Sequence, residues 1–451
     1  MKCKLSKLFF LALIGAVSVN GYSQTAEERK NITKGYDLKK NELLANELKQ
    51  KAEESYAKAL EIVKEKNLPI SGLTPQGAFF SLKGIDAETG EILYYQTSNN
   101  TSTKSSVQTA RAQHLYPGGS LGINIQGQGM IVGIWDGGQP LAGHTNLGLA
   151  RVTNKDGQFL TSQNPEEQLN GENHATHVAG TMIGNGTGNV DAKGIASQSY
   201  LWSNTWTNDI SEMTTQAGQG LLVSNHSYGI RNESYVPSNP GHFGRYSTDS
   251  NLIDVLTKNN DMYLPVYAAG NDHEGIYLGS FPLTQLNPTK GGLDQLTNEN
   301  TAKNPVVVAA VEGITDYVST GYVDDFVVNN VVLSDFSQWG PTDDFRIKPD
   351  ISAKGVDVFS SIATGVNNYT DYDGTSMAAP SVTAVFALWQ QYRNQLWPLK
   401  GHMKAASLKA LMAHTASEAG SYKENSTSIN YIASPEGPDP RFGWGLINAK
   451  G

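Results

Sequence analysis

The larger part of this 451-residue chain predicts an α/β fold, a mainly parallel twisted sheet flanked by helices, preceded by a small α+β unit. Three observations carry that prediction. Met130–Trp135, Leu264–Ala269 and Val306–Val311 are short apolar runs without polar alternation, so each reads as a strand buried on both faces. Thr383–Tyr392 is apolar nearly all round and reads as a buried helix. Beyond residue 111 charge thins, glycine rises and strand-like runs alternate with helical ones, as a parallel sheet with crossover helices requires.

The elements can be taken in order. Lys2, Lys4 and Lys7 precede the apolar run Leu8–Val17, and Gly21 and Ser23 place small residues before a cleavage point after Ser23. That is a signal peptide, too short for a membrane span, so residues 1–23 predict export. No later stretch is apolar for long enough to cross a bilayer, so no membrane span is expected in the mature chain. The single cysteine, Cys3, lies in the removed segment, which excludes disulfides and thiol catalysis. A net charge of -9 argues against nucleic acid as a partner.

From Asp37, apolar residues recur at Leu44, Leu48, Ala52, Tyr56, Leu60 and Val63, predicting an amphipathic helix that Pro69 ends. Phe79–Leu82 and Ile92–Tyr95 read as strands around a turn at residues 87–90. Residues 97–110 are small and polar, an accessible linker.

Three places beyond it can carry chemistry. Asp136 ends an apolar run and precedes Gly137 and Gly138, where a parallel sheet gathers ligands; by itself such an Asp is also a common turn former. His174 and His177 stand three apart before the apolar run Val178–Ile183, read as a buried helix; the pair could grip zinc, although a third ligand is missing. Ser376 lies at a helix start with Pro380 in the first turn, where it could be an N-cap or sit in a field favouring negative charge. Taken together, Asp, then His, then Ser is one of the chain orders of the hydrolytic triad. A serine hydroxyl needs an imidazole to take its proton, and the imidazole needs a carboxylate to set its tautomer.

These windows resemble the signature blocks of the subtilases, the subtilisin-like serine proteases. His174-Ala175-Thr176-His177-Val178-Ala179-Gly180 is similar to the family's His block, Gly374–Pro380 to its Ser block and Asp136-Gly137-Gly138 to its Asp block. Asn225–Gly229, Ala268–Asn271, Phe336–Pro341, Lys348–Ile351 and Phe442–Ala449 extend the resemblance over roughly residues 111–450. The resemblance implies Ser376 as nucleophile, His174 as general base, Asp136 as its orienter, and an oxyanion hole from the Asn271 amide and the Ser376 N–H. It implies cleft walls at Ser227, Tyr228, Gly229 and at Ala268, Ala269, Gly270.

It also implies domains: residues 24–110 a propeptide with a processing linker that inhibits intramolecularly, and residues 111–451 a peptidase domain acting on proteins or peptides. No cofactor is required; structural calcium stays open and unlocated, because Asp191 is the one carboxylate in the loop Gly184–Gly194. His177 and His144 read as structural. Two positions depart from the family pattern: Ala175 stands where glycine is usual, a fit if the site is helical, and Gly137 replaces a hydroxyl residue. Against an active secreted endopeptidase stands an inactive subtilase-like domain used for binding. An α/β-hydrolase esterase fits less well, since Ser376 lacks the second glycine of a nucleophile elbow.

Overall fold

The computed structural model describes residues 24–74, 77–97, 106–157, 160–232, 240–275, 286–287, 290–314, 331–424, 427–430 and 437–451. The expected signal peptide and residues 98–105 of the expected linker lie outside the described residues.

The N-terminal unit is two helices on a small antiparallel sheet. Helix α1 spans Ala26–Ile32, capped by Thr25 and Glu28 in a reciprocal capping box. Helix α2 spans Leu38–Glu65 and is capped by the Asp37 side chain. Its buried face keeps the expected Leu48 and Val63, with Leu44 and Leu60 packed beside them, but departs from the expected stripe elsewhere. Asn41, Ala45, Leu48, Ala59 and Val63 are buried, while Tyr56 is exposed. The reason is that α2 has two successive partners. Its first half packs on α5 (Asp209–Gly218), where Ser211 Oγ donates to the Ala45 carbonyl at 2.7 Å. Its second half packs on the sheet, with Ala59 and Val63 against Phe80, Leu82 and Tyr94. That sheet holds β1 (Ser71–Leu73), β2 (Phe79–Ile85) and β3 (Ile92–Gln96). Strand β1 escaped the sequence reading because three residues around Gly72 show no period.

The main sheet is built on β4 (Ile131–Asp136), β5 (Val152–Asn154), β6 (Tyr200–Thr205), β7 (Val223–His226), β9 (Leu264–Ala268), β10 (Val306–Val311) and β12 (Ile351–Lys354). These run parallel in the order β12-β10-β9-β7-β4-β6-β5. The short strand β8 (Gly229–Ile230) leaves this sheet and joins the N-terminal one. At the far edge β11 (Val332–Leu333) pairs antiparallel with β10 and continues to β15 (Ser421–Glu424) and β16 (Thr427–Asn430). A separate hairpin holds β13 (Val358–Ser361) and β14 (Tyr369–Tyr372).

Besides α5, the helices are α3 (Ser106–Thr109), α4 (Pro165–Ile183), α6 (Thr248–Asn259), α7 (Thr375–Leu396) and α8 (Ala405–Thr415). One face of the main sheet packs on α4 and α7 in the larger core. The other face builds a second core in which Leu48, Phe79, Leu93 and Tyr95 of the N-terminal unit join Trp135, Trp206, Tyr228 and Tyr267. Two expectations need correction. Helix α4 begins at Pro165, capped by Asn164, rather than near Val178; its first turns are polar and so carried no apolar signal. It therefore holds His174 and Ala175 inside the helix, where alanine is the better former. Helix α7 starts at Thr375, as the helix start read at Ser376 expects, but Pro380 is its sixth residue and lies inside the helix rather than in the first turn.

Two histidines inside these layers are held neutral. Burial pushes His177 and His226 down to about 3. His226 is stacked between Trp135 at 5.2 Å and Tyr267 at 4.5 Å. A base depressed in the fold stabilises it fully above its unfolded value near 6.5, and that contribution is lost as pH falls toward about 3. Thermal melts at pH 7.5, 5.5 and 4.5 should therefore show a falling Tm, with a shallower fall in His226→Gln; an equal slope in the variant would contradict the assignment.

Candidate active site

Strand β4 delivers Asp136 to the carboxyl edge of the sheet, fully buried. Its Oδ1 accepts the N–H of His174 Nδ1 at 2.7 Å and the backbone N–H of Gly137 at 2.6 Å. Burial pushes Asp136 up and the neighbouring His174 pulls it partly back, leaving a net rise. Because Nδ1 donates its N–H to the carboxylate, Nε2 is the ring atom left to act as base. Nε2 is buried and has no hydrogen-bond partner among the described residues.

Ser376 is the second residue of α7, where first-turn N–H groups lack helix partners. Ser376 Oγ donates to the Ser227 carbonyl at 2.9 Å, and Ser227 Oγ donates to the Ser376 carbonyl at 2.7 Å. The hydroxyl is thus held by Ser227 rather than by His174; nucleophile–base bonds are often long or absent before substrate binds. Asn271 follows β9. Its Oδ1 accepts from the Thr375 N–H at 2.8 Å and the Thr375 hydroxyl at 3.1 Å, which turns the Nδ2 donor away from Thr375.

A cavity of about 40 Å³ adjoins Ser376 and Asn271, lined by Tyr228, Gly229, Ala268 and Gly270. Ser227 and Ala269, expected in its walls, do not line it. Ser227 is turned to the Ser376 backbone, and Ala269 is buried in the second core. Ile230, Asp272, Gln338 and Thr375 also line the cavity and were not anticipated. Thr375 orients the Asn271 amide, and Gln338 Oε1 rests on Gly270, whose φ of +113° and lack of Cβ admit it. Thr375 sits inside the quoted serine block, so a question about what fixes Asn271 could have found it. Gln96 and Thr97 of the N-terminal unit also line the cavity. They follow from strand pairing, since Tyr95 lies opposite Ile230 and Gln96 opposite Gly229, antiparallel.

The other histidines are tied to structure. His177 Nε2 lies 2.9 Å from the Val358 carbonyl, and the ring stacks on Tyr372 at 4.5 Å. His144 donates from Nε2 to the Asn368 carbonyl at 2.9 Å and accepts from Asn146 at Nδ1. Among the described residues no group of three or more His, Cys, Asp or Glu is arranged to hold a metal ion.

A parallel α/β sheet with a carboxylate at the end of β4, an imidazole on α4 bonded to it and a serine hydroxyl at the start of α7 carries the residue types of a serine hydrolase. The family is narrower: the subtilase family profile (Peptidase_S8) matches residues 127–445, and the chain belongs to that family. Bacillopeptidase F of Bacillus subtilis (strain 168) is 29% identical over 287 residues, covering 61% of this chain and 16% of that protein. Pyrolysin of Pyrococcus furiosus is 27% identical over 249 residues, covering 48% of this chain and 17% of that protein. The chain thus spans about a sixth of the length of these relatives. C5a peptidase of Streptococcus pyogenes is 52% identical over 64 residues, 14% of this chain and 5% of that protein. The Clostridium perfringens CspB protease shares the fold, with a TM-score of 0.52 at 16% identity over 76% of this chain and 95% of that one.

Gly137, the departure beside Asp136, has a steric reason. A Cβ there would lie 2.9 Å from the Trp206 ring and 3.0 Å from Phe79, two rings stacked 5.6 Å apart. Gly137→Ser should push Phe79 off Trp206 and cost about 1–3 kcal/mol by overpacking. Urea unfolding of the unprocessed protein checks this; an unchanged midpoint would refute it.

Proposed function

We propose that this chain is a secreted serine endopeptidase, made as a self-inhibited precursor, that cleaves peptide bonds through Asp136, His174 and Ser376. The observation that carries the reading is the buried Asp136–His174 bond at 2.7 Å with Nε2 left unpartnered on the far side of the ring. His174 takes the proton of Ser376 as Oγ attacks the scissile carbonyl. Asp136 stabilises the imidazolium that forms. The Ser376 N–H at the start of α7 and the Asn271 amide receive the oxyanion. His174 then protonates the leaving amine, and a water repeats the sequence to release the acyl group.

The N-terminal unit, residues 24–97, is the inhibitor in this reading. Its strand β3 pairs with β8 as an extended peptide substrate would, and Gln96 and Thr97 line the cavity beside Ser376. Export is read from the signal-like N-terminus; among the described residues no helix is long and apolar enough to cross a membrane. A second reading, an inactive subtilase-like binding domain, draws on the Ser376 hydroxyl being engaged by Ser227.

A fluorophosphonate probe decides between them: processed wild type should label, and Ser376→Ala should not. Turnover should fall about 10⁶-fold in Ser376→Ala and about 10²–10³-fold in Asn271→Leu, the scale set by subtilisin, a member of the same family. His174→Gln should be equally dead, while His177→Gln retains turnover. No labelling of processed wild type beside a reactive control protease would favour the binding domain.

A further inference from the structure

We propose that Asp209 and Glu299, with Trp206 and Tyr228, form a subsite that selects an arginine, and next a lysine, at the substrate residue lying opposite Ile230. The inference rests on the peptidase reading and names the substrates of that same cleft.

The N-terminal unit shows what the position demands. Tyr95 lies opposite Ile230 on the strand that pairs with β8. Its ring is 5.6 Å from Trp206 and 4.7 Å from Tyr228. Its hydroxyl lies 2.8 Å from Asp209 Oδ2 and 3.0 Å from Glu299 Oε1. One hydroxyl has one proton, so it serves one carboxylate fully and the other poorly. A second residue supplies the charge. Lys83, reaching in from β2, bonds Glu299 at 2.5 Å and Asp249 at 2.6 Å and stands 4.6 Å over the Tyr95 ring. Two side chains on neighbouring strands therefore fill an aromatic and acidic box whose walls all belong to the peptidase domain. Asp209 and Glu299 are both buried under them, and burial pushes Asp209 up to about 6.

A peptide substrate that replaces β3 has no second strand to bring Lys83. One side chain must then supply both the flat surface and the positive charge. Arginine does this: its guanidinium is planar, always charged, stacks on aromatic rings and offers five donors in a fork. Lysine brings the charge without the flat surface. Tyrosine repeats only the hydroxyl of Tyr95. Leucine would cover both carboxylates, leaving Asp209 with the Tyr228 hydroxyl and the Ile210 N–H but Glu299 without the two donors that the N-terminal unit supplies, the costly arrangement. There is room for a longer side chain, because a cavity of about 710 Å³ adjoins the site, bordered by Lys83, Tyr95, Trp206, Asp209 and Asp249.

The test is a positional scan with the processed protein, using peptides that carry Arg, Lys, Tyr, Leu or Asp at each residue before the cut, with cut sites mapped by mass spectrometry. At one position Arg should exceed Leu in kcat/KM by on the order of ten- to a hundredfold, the scale of a charge-assisted bond, with Lys next and Asp poorest. In Asp209→Asn and Glu299→Gln that preference should shrink at this position and at no other. An apolar preference throughout, or a basic preference that both variants keep, overturns the inference while leaving the peptidase reading intact. Should either variant fail to fold, the wild-type scan and the other variant still decide. Absence of cleavage of every peptide and of casein overturns the peptidase reading and this inference with it.

Discussion

A carboxylate at the end of a strand buried on both faces cannot be left alone. Asp136 is fully enclosed, and among the described residues its bonds to His174 and to the Gly137 N–H offset the loss of water. That requirement fixes where α4 docks, because His174 must present Nδ1 to Oδ1. Helix α4 packs on α7, which carries Ser376, and the reciprocal bonds between Ser227 and Ser376 tie α7 to the chain leaving β7. The geometry of the site is thus a consequence of how the sheet and two helices satisfy one buried charge.

The same economy of polar groups governs the opposite face of the sheet. His226 lies within hydrogen-bond distance of Ser224 and Tyr228, Tyr228 donates to Asp209, and Asp209 accepts from Tyr95. A chain of polar contacts therefore runs from the middle of the main sheet into the N-terminal unit, through a core that both share. Such networks specify geometry because a half-satisfied member is expensive. Lys83 closes the chain electrostatically: the acidic neighbours Asp249 and Glu299 outweigh burial and hold its ammonium above the ordinary lysine range. Gly137 belongs to the same interface, since the Phe79–Trp206 stack occupies the space where a hydroxyl side chain would stand.

Much of this was legible before any coordinates. The strands at Leu264–Ala268 and Val306–Val311 follow their apolar runs almost to the residue, because strands buried on both faces have no polar positions to blur them. Less legible was whatever depends on a partner. The buried face of α2 changes partway along because its neighbours change, and no single-helix period records that. The start of α4 was hidden because its first turns face water and carry no apolar repeat.

Residue types and their order by themselves determined the class of sheet, the family, and Asp136, His174 and Ser376 as the triad candidates, because chemistry of that kind tolerates few substitutes at those positions. Only the tertiary structure decided which atoms meet. It separated His174 from His177 by aiming one ring at Asp136 and the other at the Val358 carbonyl. It turned Ser227 from a wall into a support for Ser376 and gave Thr375 the task of orienting Asn271. It also brought Lys83 and Tyr95 to carboxylates more than a hundred residues away in sequence. Distances between such groups are set by strand pairing and helix docking, which act across the whole chain and leave no mark in any short stretch of it.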